Sequence, residues 1–104
     1  MGYKVVVGKS AQLDLQNILE WYAGESIAVL QKFVDALYSR FQDLSERPES
    51  FGIVRQRPRF RKLKINRFPY YVIYRLDESR NVVFIATVIH EKRKPEVWIR
   101  RLRK

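Results

Sequence analysis

The sequence predicts an α+β domain, because its hydrophobic residues recur at helical spacing in the first half and at strand spacing in the second. Between residues 10 and 46 they step by three and four, the repeat of a single helix face. After Pro48 the repeat shortens to two, in three runs parted by turn-rich segments. The 104 residues suit one domain spanning residues 1–104, and an apolar share of 46% suffices for one core.

Residues 3–7 (Tyr3, Lys4, Val5, Val6, Val7) are β-branched and aromatic, end at Gly8 and predict a short strand. Ser10 offers an N-cap for a first helix whose apolar face is Leu15, Ile18, Leu19 and Tyr22 and which stops at Gly24. Ser26 caps a second helix. Its seam, Ile27, Leu30, Val34, Leu37, Phe41 and Leu44, is expected to be buried and is broken by Arg47 and Pro48. Helices joined by so short a turn pack as an antiparallel hairpin.

Strands are expected at residues 60–65, 70–76 and 82–90. Asn66, Arg67, Phe68 and Pro69 part the first two, and Asp77, Glu78, Ser79, Arg80 and Asn81 the next. They form a three-stranded antiparallel meander, with the N-terminal strand joining the same sheet. Alternation puts Tyr71, Ile73 and Arg75 on one face and Tyr70, Val72, Tyr74 and Leu76 on the other. The hairpin can cover only one of these faces, so the other is expected to be exposed or to bind something. Pro95 ends the last regular segment, and Arg100, Arg101, Leu102, Arg103 and Lys104 form a basic tail too short to fold alone.

Charge is divided unevenly. Residues 1–54 carry 5 Lys/Arg against 7 Asp/Glu, whereas residues 55–104 carry 16 against 4. Clustered cations attract phosphate backbones or acidic protein surfaces. Strand alternation would put Arg55, Arg57, Arg59 and Arg61 on one side and Lys62 and Lys64 on the other, beside Tyr and Phe rings. Such a stripe suits single-stranded RNA, or equally an acidic helix; composition leaves both open.

No cysteine and no apolar run near 20 residues exclude disulfides, thiolate metal sites and a membrane span, and a cytoplasmic location is expected. With one histidine, no metal or cofactor is expected. That residue, His90, is either a structural hydrogen-bonding group or a base beside Arg93 and Lys94. Ribonuclease chemistry needs a base, an acid and cations around the phosphate. The cations are plentiful, but an acid/base pair is not evident.

Two segments resemble a known family: Phe68-Pro69-Tyr70-Tyr71-Val72-Ile73-Tyr74-Arg75, and Val88-Ile89-His90-Glu91-Lys92-Arg93-Lys94-Pro95-Glu96-Val97-Trp98. With the order strand, helical hairpin, meander and basic tail, they are similar to the RelE/ParE superfamily of toxins from bacterial type II toxin–antitoxin systems. The resemblance covers nearly the whole chain. It implies a cognate antitoxin with an amphipathic, acidic segment, covering the apolar and basic surface left by the hairpin. RelE-like members cut messenger RNA on the ribosome, whereas ParE-like members inhibit DNA gyrase without a hydrolytic site.

Lys62 and Lys64 match the second-strand lysines of the RelE side, and Lys92 or Arg93 its C-terminal arginine. Tyr71 stands at its third-strand arginine and Trp98 at its C-terminal tyrosine, and an indole cannot do a phenol's proton transfer. The wording of the two segments lies closer to ParE. The resemblance therefore implies a non-hydrolytic toxin, and together with the clustered charge it leads to target contact expected through Arg59, Arg61, Lys62, Lys64, Tyr71, Arg75, Lys92, Lys94 and Trp98. For the ribonuclease alternative, the catalytic residues would be His90 and Arg93. A further alternative is an RNA-binding module without toxicity.

Overall fold

The computed structural model describes residues 2–102. Strand β1 (Lys4–Val7) leads into helices α1 (Lys9–Glu25) and α2 (Ile27–Glu46), followed by a 3₁₀ turn, Pro48–Ser50. Strands β2 (Gly52–Ile53), β3 (Phe60–Lys64), β4 (Tyr70–Asp77) and β5 (Val82–His90) follow, and then α3 (Pro95–Trp98) and a second 3₁₀ turn, Ile99–Arg101. They build one five-stranded sheet in the order β1-β5-β4-β3-β2. The α+β class, the hairpin, the β3–β5 meander and the N-terminal strand in the same sheet are as expected. β1 joins parallel to β5, and β2 is an added edge strand. Two residues are too few to show a period. Among the described residues no helix is long and apolar enough to cross a membrane.

α1 begins at Lys9 with Gly8 as its N-cap, so the expected Ser10 lies inside the first turn. Gly8 N–H donates to Ile85 O at 2.8 Å. A Cβ at Gly8 would stand 2.5 Å from the Phe84 ring and 2.9 Å from Ile85 O, so only glycine lets the chain turn this close to β5. Gly24 does not stop the helix, which runs to Glu25. Ser26 does cap α2, its Oγ accepting from Val29 N–H at 3.3 Å.

The hairpin packs on one sheet face through Leu15, Ile18, Phe33, Leu37 and Leu44, against Leu63, Val72, Tyr74, Val83 and Ile85. The expected α2 seam is only partly used. Leu37 and Leu44 are buried and Leu30, Val34 and Phe41 are half-buried, but Ile27 is 69% exposed. Phe33, absent from that seam, is fully enclosed, its ring 5.2 Å from Tyr22 and 5.1 Å from Phe68. A strict three-four repeat drifts around a 3.6-residue helix, and the large Phe33 ring settles which stripe faces inward.

The opposite face is covered too. Trp98, Ile99 and Leu102 form a second core with Val54, Phe60, Ile73 and Ile89. This overturns two expectations: Pro95 opens a short helix instead of ending regular structure, and the sheet's second face is not left bare. Arg103 and Lys104 of the basic tail lie outside the described residues. The segment is too short to be stable alone, but three apolar side chains give it a docking face.

One carboxylate ties the layers together. The β4–β5 register slips from Ile73↔Thr87 to Tyr74↔Ile85, leaving Ala86 as a bulge. β1 pairs β5 only up to Ile85, so beyond it α1 meets the free edge. There Asp14 Oδ2 accepts from Thr87 Oγ1 (2.5 Å) and Val88 N–H (2.9 Å), while Arg101 Nη2 stands 3.3 Å from Oδ1.

Candidate functional site

β3 begins at Phe60, so Arg55, Arg57 and Arg59 are not a strand stripe. Residues 54–59 form a turn closed by Val54 N–H to Phe60 O (2.9 Å), Arg57 N–H to Val54 O (3.0 Å) and Phe60 N–H to Arg57 O (2.8 Å). From there alternation sends Leu63 to the hairpin face and Phe60 to the C-terminal face. The expected site residues consequently separate into three groups.

On the C-terminal face Lys62 Nζ lies 5.1 Å from the Tyr71 ring centroid, a cation–π contact. Lys64 pairs Tyr71 in register and holds Glu91 at 3.4 Å, a half-exposed pair contributing roughly 1 kcal/mol or less. Trp98 is 5% exposed, its indole packed in the second core. It nevertheless borders a cleft of about 340 Å³ with Ile53, Val54, Arg55, Gln56, Lys62 and Pro95.

Lys92, Arg93 and Lys94 form an exposed turn after β5, with Arg93 N–H donating to His90 O at 3.0 Å. The His90 Nδ1 accepts from Lys92 N–H at 3.1 Å, and its ring stands edge-on to Tyr70, 5.3 Å away. Tyr70 packs against the hairpin core. His90 thus lies on the hairpin side of the sheet, while Lys62 and Tyr71 lie on the other.

Arg59, Arg61 and Arg75 make the third group, in a cleft of about 380 Å³ shared with Glu49, Asp77 and Glu78. Its charge is largely balanced from within. Arg61 Nη1 donates to Phe51 O at 2.6 Å, and the Arg75 guanidinium stacks 4.8 Å from the Phe84 ring. The Ser79 hydroxyl, donating to Asp77 Oδ1 at 2.8 Å, holds that carboxyl below its usual range. Nearby, Tyr74 OH donates to Pro48 O at 2.6 Å; burial pushes its phenol up to about 12, with Arg61 opposing.

Ile53, Arg55 and Gln56 complete the Lys62 cleft, and sequence reasoning did not place them there. The only local signal was an isolated Gly52-Ile53 pair ahead of the turn. Among the described residues no group of His, Asp or Glu is placed to hold a metal.

A sequence model of the ParE toxins of type II toxin–antitoxin systems, parDE, matches residues 5–95. The chain belongs to that family. Among curated proteins no sequence matches significantly. Solved structures agree with the fold. The toxin resembles a chain of the RelBE2 toxin–antitoxin complex from Mycobacterium tuberculosis, with a TM-score of 0.61 and 25% identity over 86% of this chain and 92% of that one. The chromosomal ParDE system from P. aeruginosa gives 0.69 and 19% over 85% and 95%. A free double-mutant E. coli toxin RelE gives 0.62 and 20% over 99% and 100%. The toxin therefore shares the RelE/ParE fold from its N-terminal strand through its last helix.

Proposed function

We propose that the toxin arrests growth by binding, with DNA gyrase as its foremost target, and that it acts in the cytoplasm until a cognate antitoxin neutralises it. What carries the non-hydrolytic reading is the position of its proton-transfer groups. The only histidine is on the hairpin side of the sheet, away from Lys62 and Tyr71. Trp98, at the place of the RelE-side tyrosine, is buried and offers only an N–H donor. A phosphodiester held by Lys62 and Lys64 would meet no imidazole; the groups beside it are the Tyr71 phenol and the Glu91 carboxylate, which Lys64 already holds. The antitoxin partner is supported by the relatives solved as toxin–antitoxin complexes and by the surplus of Lys and Arg.

The test runs gyrase supercoiling beside messenger cleavage on programmed ribosomes, with wild type and His90→Ala. Inhibition of supercoiling, unchanged by His90→Ala, is expected. Ribosome-dependent cleavage lost in His90→Ala would establish the ribonuclease reading instead.

Target contact falls to the exposed cations Lys62, Lys92, Arg93 and Lys94. Arg93→Glu and Lys62→Glu are expected to abolish growth arrest, with stability changed by about 0.5 kcal/mol or less for Arg93→Glu and about 1 kcal/mol or less for Lys62→Glu, which loses the Tyr71 contact, while Lys32→Glu on α2 stays toxic. Arg61→Glu is unsuited to that comparison, because losing its bond to Phe51 O would disturb the fold as well. Full toxicity in both variants would remove these residues from the target surface.

A further inference from the structure

A row of side chains on the outer face of α1 has an order that reads alike in both directions. Lys9, Leu13, Asn17, Trp21 and Glu25 follow at intervals of four, the spacing of a ridge on a helix surface, and all five are exposed. Leu13 and Trp21, both large and apolar, are each 63% exposed. About the central Asn17, these two are matched four places to either side, and the opposite charges of Lys9 and Glu25 eight places to either side. Ser10 and Gly24, seven places to either side, are both small and exposed. Gly24 has no internal reason to be glycine, which weakens a helix: its φ is not positive, and a Cβ there would meet nothing within 4 Å.

A surface with that symmetry is complementary to its own copy. Two α1 helices laid antiparallel about a two-fold axis at Asn17 put each Leu13 against the second copy's Trp21 and each Lys9 beside the second copy's Glu25. The cationic surplus does not oppose this approach, because residues 1–54, which include α1, carry 5 Lys/Arg against 7 Asp/Glu. An acidic antitoxin segment or a phosphate backbone on the same row would meet Glu20 and Glu25, with Lys9 as the only cation of α1. The charge pattern therefore favours a second copy of the chain.

We propose that the toxin self-associates through the outer face of α1 as a two-fold dimer. Trp21 is the anchor, a large ring of the kind that dominates interface energy, and Leu13 of the second copy packs against it. Lys9 and Glu25 at the rim fix the antiparallel register. A helix of 17 residues is about 25 Å long, so the contact is smaller than a standard interface and the association is weak and concentration-dependent. The hairpin covers one sheet face, whereas Lys62 and Tyr71 lie on the other, so a pair joined through α1 leaves both target surfaces open. Self-association of this kind needs neither the gyrase target nor the antitoxin.

Sedimentation velocity of the purified toxin over a rising concentration series, at low salt, should show monomer giving way to dimer. Trp21→Ala and Leu13→Glu, both at exposed positions, are each expected to weaken self-association at least about tenfold and to leave melting of the dilute monomer unchanged. Lys9→Glu and Glu25→Lys each place like charges at both rim contacts and should weaken pairing as well. Mixed in equal amounts, these two variants carry opposite charges at both contacts, and the mixture should pair as wild type does. A toxin that stays monomeric throughout the series, or Trp21→Ala and Leu13→Glu variants that pair as wild type, overturns the proposal. A mixture that pairs no better than its components overturns the antiparallel two-fold arrangement. If Trp21→Ala loses affinity for the antitoxin while self-association is unchanged, the face belongs to the antitoxin and the dimer is overturned.

Discussion

Replacing Asp14 by alanine isolates the contact that joins α1, β5 and the C-terminal segment. Val88 N–H loses a charged acceptor at 2.9 Å, and Thr87, 1% exposed, loses its hydroxyl's partner. A hydrogen bond to a charged group contributes about 1.5–3 kcal/mol, and a buried hydroxyl left unsatisfied costs about 1–3 kcal/mol. Neighbouring losses do not add fully, so about 2–4 kcal/mol is expected. The Arg101 contact is longer, at 3.3 Å, and its side chain is one-third exposed, so Arg101→Ala should cost less than about 1 kcal/mol. Urea unfolding of Asp14→Ala, Asp14→Asn and Arg101→Ala measures all three, with midpoints compared at constant slope. Asn keeps one acceptor oxygen and should fall between the others. Equal losses for Asp14→Ala and Arg101→Ala would refute the reasoning, because the carboxylate would then matter only as a surface ion-pair partner.

Two further outcomes follow from packing and burial. Phe33→Ala should cost about 3–5 kcal/mol and Ile27→Ala about 0.5 kcal/mol or less in the same unfolding assay, and the reverse order would restore the seam read from spacing. Because the Tyr74 phenol is raised from 10.0 to about 12, its contribution is complete below pH 10 and is lost as the pH climbs through about 12. Absorbance titration should show Tyr74 ionising last, together with unfolding and after Tyr22, whose phenol burial also raises, and Tyr74→Phe should remove that last step.

Much of the architecture was legible in sequence. Strand β5 runs over the residues its alternation marks, Ser26 caps α2, and the two faces of β4 sort as period two requires. These are local properties, set by steric preference and side-chain alternation within a few residues. The family was legible as well, since Phe68–Tyr74 and His90–Trp98 carry it in contiguous wording. The candidate site was less so. Lys62, Lys64 and Tyr71 do share a face, but Arg61 turns to Phe51, and His90 lies across the sheet from them.

By itself, then, the sequence determined the class of fold, the order of its main elements, the family, and the concentration of positive charge in the second half. Only the tertiary structure decided what covers the second sheet face, which stripe of α2 is buried, and which cations remain free for a partner. Those outcomes depend on contacts between residues far apart in the chain. Trp98 meets Ile73, Arg101 meets Asp14, and Phe33 meets Phe68. A hydrophobic repeat states that a face wants burial. Which neighbour supplies it is settled by the competition for burial among all the faces at once, and there the C-terminal segment, too short by its sequence to fold alone, takes the place that spacing had left open.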